Sequence, residues 1–127
     1  MPVFCVRHLA LLDNSIPSTY SPGLPKPHTS IIVTCPRLED ADEILPIMND
    51  VRVYPWMGAS LPYPHERKHA LSWLHSVKPR CDLGQEDLRV ASTSDPTSHS
   101  IRECPVRIIR EVKENKEVYL GDCGITK

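Results

Sequence analysis

The chain has 127 residues, a formal net charge of -1, an apolar share of 40% and a charged share of 24%. This length accommodates one domain, and the composition is that of an ordinary globular protein. Because the charge is near zero and basic residues are not clustered, and because no apolar run approaches about 18 residues, we expect neither nucleic acid nor a membrane as a partner.

Residues 1–27 are predicted to form a disordered, proline-rich extension, which ends in Ser21-Pro-Gly-Leu-Pro-Lys-Pro27. Proline fixes φ and removes a backbone donor, so this stretch favours neither a helix nor a central strand. The β-branched run Ser30-Ile-Ile-Val-Thr-Cys35 follows, and it predicts a strand.

A first helix is expected from Asp40. Asp40 and Glu43 have the spacing of a capping box, in which each side chain accepts a hydrogen bond from the backbone amide of the other residue. Apolar residues then recur at i, i+3, i+4 and i+7, which is the spacing of one helix face. They are Ala41, Ile44, Leu45 and Met48. Pro46 lies within this pattern and is expected to bend the helix.

A loop rich in aromatic residues and proline is predicted at 51–64, followed by a second helix from about His65 to Val77. The second helix repeats the apolar spacing of the first at Ala70, Trp73, Leu74 and Val77. Pro79 is expected to end it. Residues 79–103, which are rich in Ser and Thr near their C-terminal part, are predicted to be a mobile loop.

The C-terminal part of the chain predicts a β-hairpin. Two strand-like runs, 105–112 and 118–125, flank the charged turn 113–117. The order strand, helix, helix, strand, strand is that of an α+β domain, which we place at residues 28–127.

The segment His65-Glu66-Arg67-Lys68-His69 has the letters of the zinc-hydrolase signature, in which two histidines one helical turn apart hold zinc and the glutamate activates a water. The longer form of this motif needs glycine where Ser72 stands. If the helix continues, a third ligand at His75 lies about 120° around the axis from His69. We therefore expect His65 and His69 to be solvated residues of a helix face and no metal to bind, with a zinc hydrolase as the less favoured alternative.

The five cysteines are an odd number at scattered spacings, with no Cys-x-x-Cys pair. This pattern is typical of free thiols in a reducing compartment rather than of a zinc ribbon or a disulfide framework. The first 12 residues lack the basic beginning of a signal peptide. We therefore expect a cytoplasmic protein.

Four stretches between residues 30 and 125 carry short patterns in a fixed order. They are Ile31–Ile44, with Arg37-Leu-Glu-Asp-Ala41; Met48–Met57; Pro62-Tyr-Pro64 with Ala70-Leu-Ser-Trp-Leu74; and Pro105–Arg110 with Tyr119-Leu-Gly-Asp-Cys-Gly-Ile125. Together they resemble the GNAT superfamily of N-acetyltransferases, in the branch similar to ribosomal-protein N-acetyltransferases. The resemblance implies a partial GNAT fold with a mixed or antiparallel sheet, represented by its N-terminal, substrate-side half.

In that family, acetyl passes directly from acetyl-coenzyme A to an amine, and the cofactor pyrophosphate lies on a loop of the form Gln/Arg-x-x-Gly-x-Gly/Ala. Backbone amides at a helix N-terminus bind phosphate, and glycine permits its close approach. None of the five glycines has this spacing. The resemblance therefore implies a fold that stops before its fourth strand, with no residue here that binds acetyl-coenzyme A.

The resemblance places the acceptor amine, a protein N-terminus or a small amine, beside the loop between the two helices. The candidate substrate-binding residues are Tyr54, Trp56, Met57 and Tyr63. The other interpretation of these side chains is that they only pack the loop down. No catalytic base is identified. A non-catalytic alternative is a fragment that pairs with itself, or with a complementary half, through the edge strand Tyr119–Ile125.

Overall fold

The computed structural model describes residues 21–59, 61–93 and 100–124. Its elements are β1 (Ile31–Thr34), α1 (Asp40–Met48), α2 (Arg67–Thr93), β2 (Ile108–Lys113) and β3 (Lys116–Asp122), with a 3-10 helix at Tyr54–Trp56 between α1 and α2. The order and types of these elements confirm the predicted α+β class.

The three strands form one antiparallel sheet in the order β1-β2-β3. Ile31 pairs with Glu111, and the hairpin of β2 and β3 closes through Glu114 and Asn115, whose φ angles are 48° and 62°. Two central residues with positive φ are typical of the two-residue turns that match the twist of a hairpin. The predicted hairpin is confirmed, with a shorter turn than expected.

Part of the N-terminal extension runs alongside β1. The Leu24 amide donates to the Ile31 carbonyl at 3.0 Å, and the Val33 amide donates to the Pro22 carbonyl at 2.9 Å. These bonds use backbone groups on the side of β1 away from β2, so residues 22–24 are ordered, which differs from the predicted disorder. Residues 1–20, the rest of that prediction, lie outside the described residues.

The core lies between the two helices and the sheet. Its buried members are Ala41, Ile44, Ala70, Leu74, Ile108 and Tyr119. Leu45 and Met48 pack against this cluster, which confirms the predicted apolar face of α1. The core therefore contains residues from the first helix, the second helix and the β2–β3 hairpin.

The helix α2 continues through Pro79 to Thr93, so the predicted end at Pro79 and the loop over 79–93 are wrong. Its buried residues recur every three or four positions along the whole length: Ala70, Leu74, Val77, Cys81, Gly84, Leu88 and Ala91. This continuous buried stripe outweighs the roughly 3 kcal/mol that an interior proline costs. Residues 94–99 of the predicted loop lie outside the described residues. Neither α1 nor α2, the α-helices of the described ranges, is apolar over enough length to cross a membrane.

A buried ion pair ties α1 to the sheet. Arg110 donates from Nη1 to Asp40 Oδ1 at 2.7 Å and from Nη2 to Oδ2 at 2.8 Å, and the two side chains are 1% and 2% exposed. Arg110 Nε also donates to Thr34 Oγ1 at 2.7 Å. Burying a charge is costly unless it is paired and hydrogen-bonded, and both conditions are met here.

The predicted capping box is therefore wrong. Asp40 accepts from the Arg37 amide and from Arg110, whereas the Glu43 carboxylate accepts from the Tyr119 amide at 2.9 Å. The N-cap residue of α1 is Glu39, which makes no side-chain cap bond. Both carboxylates bind distant strands, which sequence spacing within one helix could not reveal.

Candidate functional site

A cavity of about 440 Å³ lies between α1, the segment joining the helices, the beginning of α2 and β3. Its apolar walls include Ile44, Met48, Met57, Leu61, Trp73 and Tyr119, and its polar lining residues are His65, His69, Ser72, Ser76 and Asp122. Sites for small molecules are typically mostly apolar cavities of about 300–1,000 Å³ with a few polar groups. This cavity has both properties, and we take it as the candidate site.

Asn49, the C-cap residue of α1, fixes the main chain at the wall of this cavity. Its Oδ1 accepts from the His65 amide at 2.8 Å, and its Nδ2 donates to the His65 carbonyl at 2.9 Å and to the Leu45 carbonyl at 3.0 Å. The end of α1 is thereby fastened to the residues that precede α2. Sequence analysis missed Asn49, whose only signal was its position directly after the apolar face of α1.

The two histidines of the zinc-like motif both line the cavity. His65 is only 8% exposed, and its Nδ1 is buried with no hydrogen-bond partner among the described residues. His69 Nδ1 accepts from the Glu66 amide at 3.0 Å, and the two rings lie 5.5 Å apart between centroids. The expectation of solvated helix-face residues is therefore wrong for His65, whereas His69 lies on α2 and is half-buried. Because α2 begins at Arg67, His65 precedes the helix and its position on a helical wheel has no meaning.

The geometry of a zinc-hydrolase helix is not formed. His65 and Glu66 both lie before α2, and the Glu66 carboxylate pairs with Lys68 at 2.9 Å, which lowers the pKa of Glu66. Within the described ranges, no three His, Cys, Asp or Glu side chains are grouped so that they could hold a metal ion. That the protein binds no metal stays a prediction.

The four predicted acceptor residues are only partly brought together. Tyr54 and Tyr63 stack with centroids 4.2 Å apart and border a smaller hollow of about 190 Å³. Met57 lines both this hollow and the main cavity. Trp56 is 86% exposed and lines neither. The stacked pair agrees with the loop-packing interpretation, and Met57 is the predicted residue that reaches the cavity.

The end of β3 closes the cavity with Tyr119 and Asp122. Burial raises the pKa of the Tyr119 phenol well above its ordinary value, so the hydroxyl stays protonated further into the alkaline range than a solvated tyrosine does. Arg107 Nε lies 3.4 Å from Asp122 Oδ2, and the Arg107 guanidinium lies 5.4 Å from the centroid of the Trp73 ring. The negative charge of Asp122 is therefore balanced at the rim.

Comparison of the chain with protein-family models, with curated proteins and with solved structures found no match. The fold is thus described by its own geometry as an α+β domain with a three-stranded antiparallel sheet. The resemblance to N-acetyltransferases rests on the sequence patterns alone.

Proposed function

We propose that this chain carries the substrate-side half of a GNAT-type N-acetyltransferase, which positions an amine for acetylation by acetyl-coenzyme A. The order of elements supports this proposal. The strands β1 and β2 are antiparallel neighbours although α1 and α2 lie between them in sequence, and β3 follows by a hairpin. This is the order that the resemblance implies for the first half of such a domain.

The observation that carries the proposal is the position of the cavity. It is bordered by the loop between the two helices, where the resemblance places the acceptor amine, and Met57 of that loop forms part of its wall. Ile44, Trp73 and Tyr119 make the rest of the wall largely apolar. Apolar surroundings lower the pKa of an ammonium group and favour the neutral amine, which is the form that attacks an acyl group.

The donor, acetyl-coenzyme A, is assigned no binding residue in these 127 residues. The proposal requires a glycine-lined set of backbone amides for its pyrophosphate, and none of the five glycines has the spacing of that loop. The proposal therefore separates two properties of this polypeptide: it should bind an acceptor amine, and it should not bind the donor.

Calorimetric titration of the 127-residue protein tests both properties. Titration with a short peptide carrying a free N-terminal amine, or with a small aryl or alkyl amine, is expected to show binding that Met57→Ala weakens. The control Leu83→Ala removes an apolar residue of comparable exposure on α2, outside the cavity, and should leave the affinity unchanged. Titration with acetyl-coenzyme A should show no heat of binding. Stoichiometric micromolar binding of acetyl-coenzyme A, or no binding of any amine, contradicts the proposal.

A second candidate function is a non-catalytic interaction fragment that pairs through β3. This strand is an edge of the described sheet, and Val118 and Leu120 on it are 40% and 43% exposed. One of its amides, that of Tyr119, is already bonded to Glu43. An exposed, apolar edge strand is a template for pairing with another chain.

Gel filtration at low and high concentration tests this second function. Self-association is expected to weaken in Leu120→Lys, because a charged side chain discourages edge pairing. The matched control is Leu83→Lys, since Leu83 is 44% exposed on α2. A monomer at every concentration counts against pairing with itself.

We also propose a cytoplasmic location. The described cysteines, Cys35, Cys81, Cys104 and Cys123, are all free thiols. Free thiols persist in reducing compartments, whereas secreted proteins usually oxidise them to disulfides. Thiol titration of the denatured protein under non-reducing conditions is expected to find five reactive thiols, one for each cysteine of the sequence.

A further inference from the structure

We propose that Asp122 binds the ligand of the cavity by accepting hydrogen bonds from a primary ammonium group, while the apolar walls contact the body attached to that group. The ligand class is thus a primary ammonium ion with an apolar body of ring size. The inference rests on the proposed function in taking this cavity as the acceptor site. It concerns binding alone, so it can be tested without acetyl transfer.

The side chain of Asp122 lies on the face of the sheet that carries the cavity. Asp122 pairs with Ile108 across the hairpin, and residues paired in this way present their side chains to the same face. Ile108 belongs to the buried core, as does Tyr119, and Tyr119 lines the cavity together with Asp122. Because the Asp122 side chain is 38% exposed, a ligand in the cavity can reach its carboxylate.

The Asp122 carboxylate has acceptor capacity that Arg107 leaves open. The ion pair joins Arg107 Nε to Asp122 Oδ2 at 3.4 Å, which is longer than the roughly 2.7–3.2 Å of an N–H···O hydrogen bond. Arg107 Nε accordingly has no hydrogen-bond partner in the described part of the chain. An ionised carboxylate offers about four lone-pair positions. The N–H groups of a ligand can therefore bond to Asp122 without displacing Arg107.

The residues that line the cavity favour a cation over an anion. Their described members include one acidic residue, Asp122, and two histidines, but no lysine and no arginine. Arg107 balances Asp122 from outside this lining, where its guanidinium lies over the Trp73 ring. Alkyl amines arrive as ammonium ions at neutral pH, since the ordinary pKa of such an amine is about 10.4. A hydrogen bond between ammonium and carboxylate is roughly twice as strong as one between neutral groups.

The walls fit an apolar body. Met57, Leu61 and Trp73 offer apolar contact surface to it, and methionine adapts to irregular shapes. A volume of about 440 Å³ lies within the range of sites for small molecules and is sufficient for a fused aromatic ring with a short side chain. The ammonium group then lies beside Asp122 at the end of β3, and the ring lies between the helices.

Tryptamine and tryptophol are matched probes for this inference. Both carry an indole ring on a two-carbon chain, which ends in an ammonium group in tryptamine and in a hydroxyl group in tryptophol. By calorimetry at pH 7, we expect the 127-residue protein to bind tryptamine about tenfold more tightly, which corresponds to about 1.4 kcal/mol. The substitution Asp122→Asn keeps the size of the side chain and should make the two affinities nearly equal. Tryptamine is also expected to shift the ¹³C resonance of the Asp122 carboxylate in the unsubstituted protein.

The control is Glu111→Gln, which removes the same charge from the hairpin. Glu111 is paired with Lys113 at 3.1 Å and lies outside the cavity lining, so this variant should preserve the preference for tryptamine. Equal affinities for the two probes, no binding of tryptamine, or a preference that survives Asp122→Asn would overturn the inference. An Asp122 resonance that tryptamine leaves unchanged would do the same, even if Asp122→Asn does not fold.

Failure of this inference and failure of the proposed function give different results. An Asp122-dependent preference for tryptamine in a protein that also binds acetyl-coenzyme A would contradict only the proposed function. Binding of a peptide amine without a preference for tryptamine over tryptophol would contradict only the role of Asp122.

Discussion

Arg110 is a charged residue of β2 that is only 1% exposed, and it is buried together with its polar partners Asp40 and Thr34. Its guanidinium bonds to Asp40 at the beginning of α1 and to Thr34 at the end of β1. The side chain therefore connects three elements. A buried pair of this kind contributes little net stability compared with an apolar replacement, but loss of one partner leaves an uncompensated charge. The pair therefore fixes where α1 meets the sheet.

Asp40→Ala is expected to lower the free energy of unfolding by about 3–5 kcal/mol, because Arg110 stays buried without its counter-charge. The matched control is Asp42→Ala on the same helix. Asp42 pairs with Arg67, and these side chains are 69% and 57% exposed, so its loss should cost less than about 1 kcal/mol. Urea denaturation of the three proteins measures both values. Similar losses for the two substitutions would contradict the assigned role of Arg110.

Asn49→Ala is expected to cost about 1–3 kcal/mol and to expose the His65 amide to solvent exchange, since the amide of His65 loses its acceptor. Asn49→Asp keeps an oxygen for that amide and removes the donor to the His65 and Leu45 carbonyls. It should therefore retain more protection than Asn49→Ala. Hydrogen exchange at His65 followed by NMR distinguishes the two. Unchanged exchange in both variants would show that Asn49 does not hold the cavity wall.

At the scale of elements, the sequence predicted what local spacing determines. The apolar face of α1 and the β2–β3 hairpin follow from repeats within a few residues, and both were found. The length of α2 was missed, because Pro79 is a strong local breaker and the buried positions Cys81 and Gly84 are weak apolar signals. Tertiary burial along the whole helix overrode the local preference.

Gly84 of α2 packs tightly against the segment that leads to β2. A Cβ at this position would collide with backbone atoms of Glu103 and Pro105. Alanine favours a helix over glycine by about 1 kcal/mol, yet Gly84→Ala is expected to destabilise the protein because the backbone on the other side must shift. The control Ser92→Ala, at an exposed position of α2, should be neutral or slightly stabilising. Thermal denaturation tests this, and a higher midpoint for Gly84→Ala would refute the close packing.

At the scale of the whole molecule, the buried ionisable groups predict a loss of stability in alkali. Burial raises the pKa of Cys81 from an ordinary 9.0 to about 11 and raises those of Cys35 and Tyr119 as well. A group whose pKa is higher in the folded state keeps its proton there and loses it on unfolding. The stability that it contributes is complete below pH 9 and, for Cys81, is lost as the pH rises towards 11.

Chemical denaturation between pH 7 and pH 11 is expected to show this decline, and it should be shallower in Cys81→Ala than in the original protein. The comparison is Cys123→Ala, because Cys123 is an exposed thiol. This variant should keep more of the fall in stability with rising pH than Cys81→Ala does. A stability that is flat to pH 11 would mean that these groups are not buried as described.

The candidate site could be predicted only in part. Met57 was found because the loop between the helices carried a family-like pattern, whereas Asn49, His65 and Asp122 come together from separate parts of the chain through the packing of α1, α2 and β3. The buried state of His65 depends on where α2 begins, and a motif of five letters does not contain that information. Contacts between distant parts of the chain form the cavity, so patterns within a few residues could not predict it.

The central claim is that this polypeptide holds an acceptor amine and not acetyl-coenzyme A. An amide NMR titration of the ¹⁵N-labelled 127-residue protein tests it most directly. A peptide with a free N-terminal amine is expected to shift the amides of Met57, His65 and Tyr119 around the cavity, and acetyl-coenzyme A is expected to shift none. Saturable shifts produced by acetyl-coenzyme A would contradict the account, and so would amine-induced shifts confined to a separate hollow, which is lined by Cys35, Arg37 and Lys78.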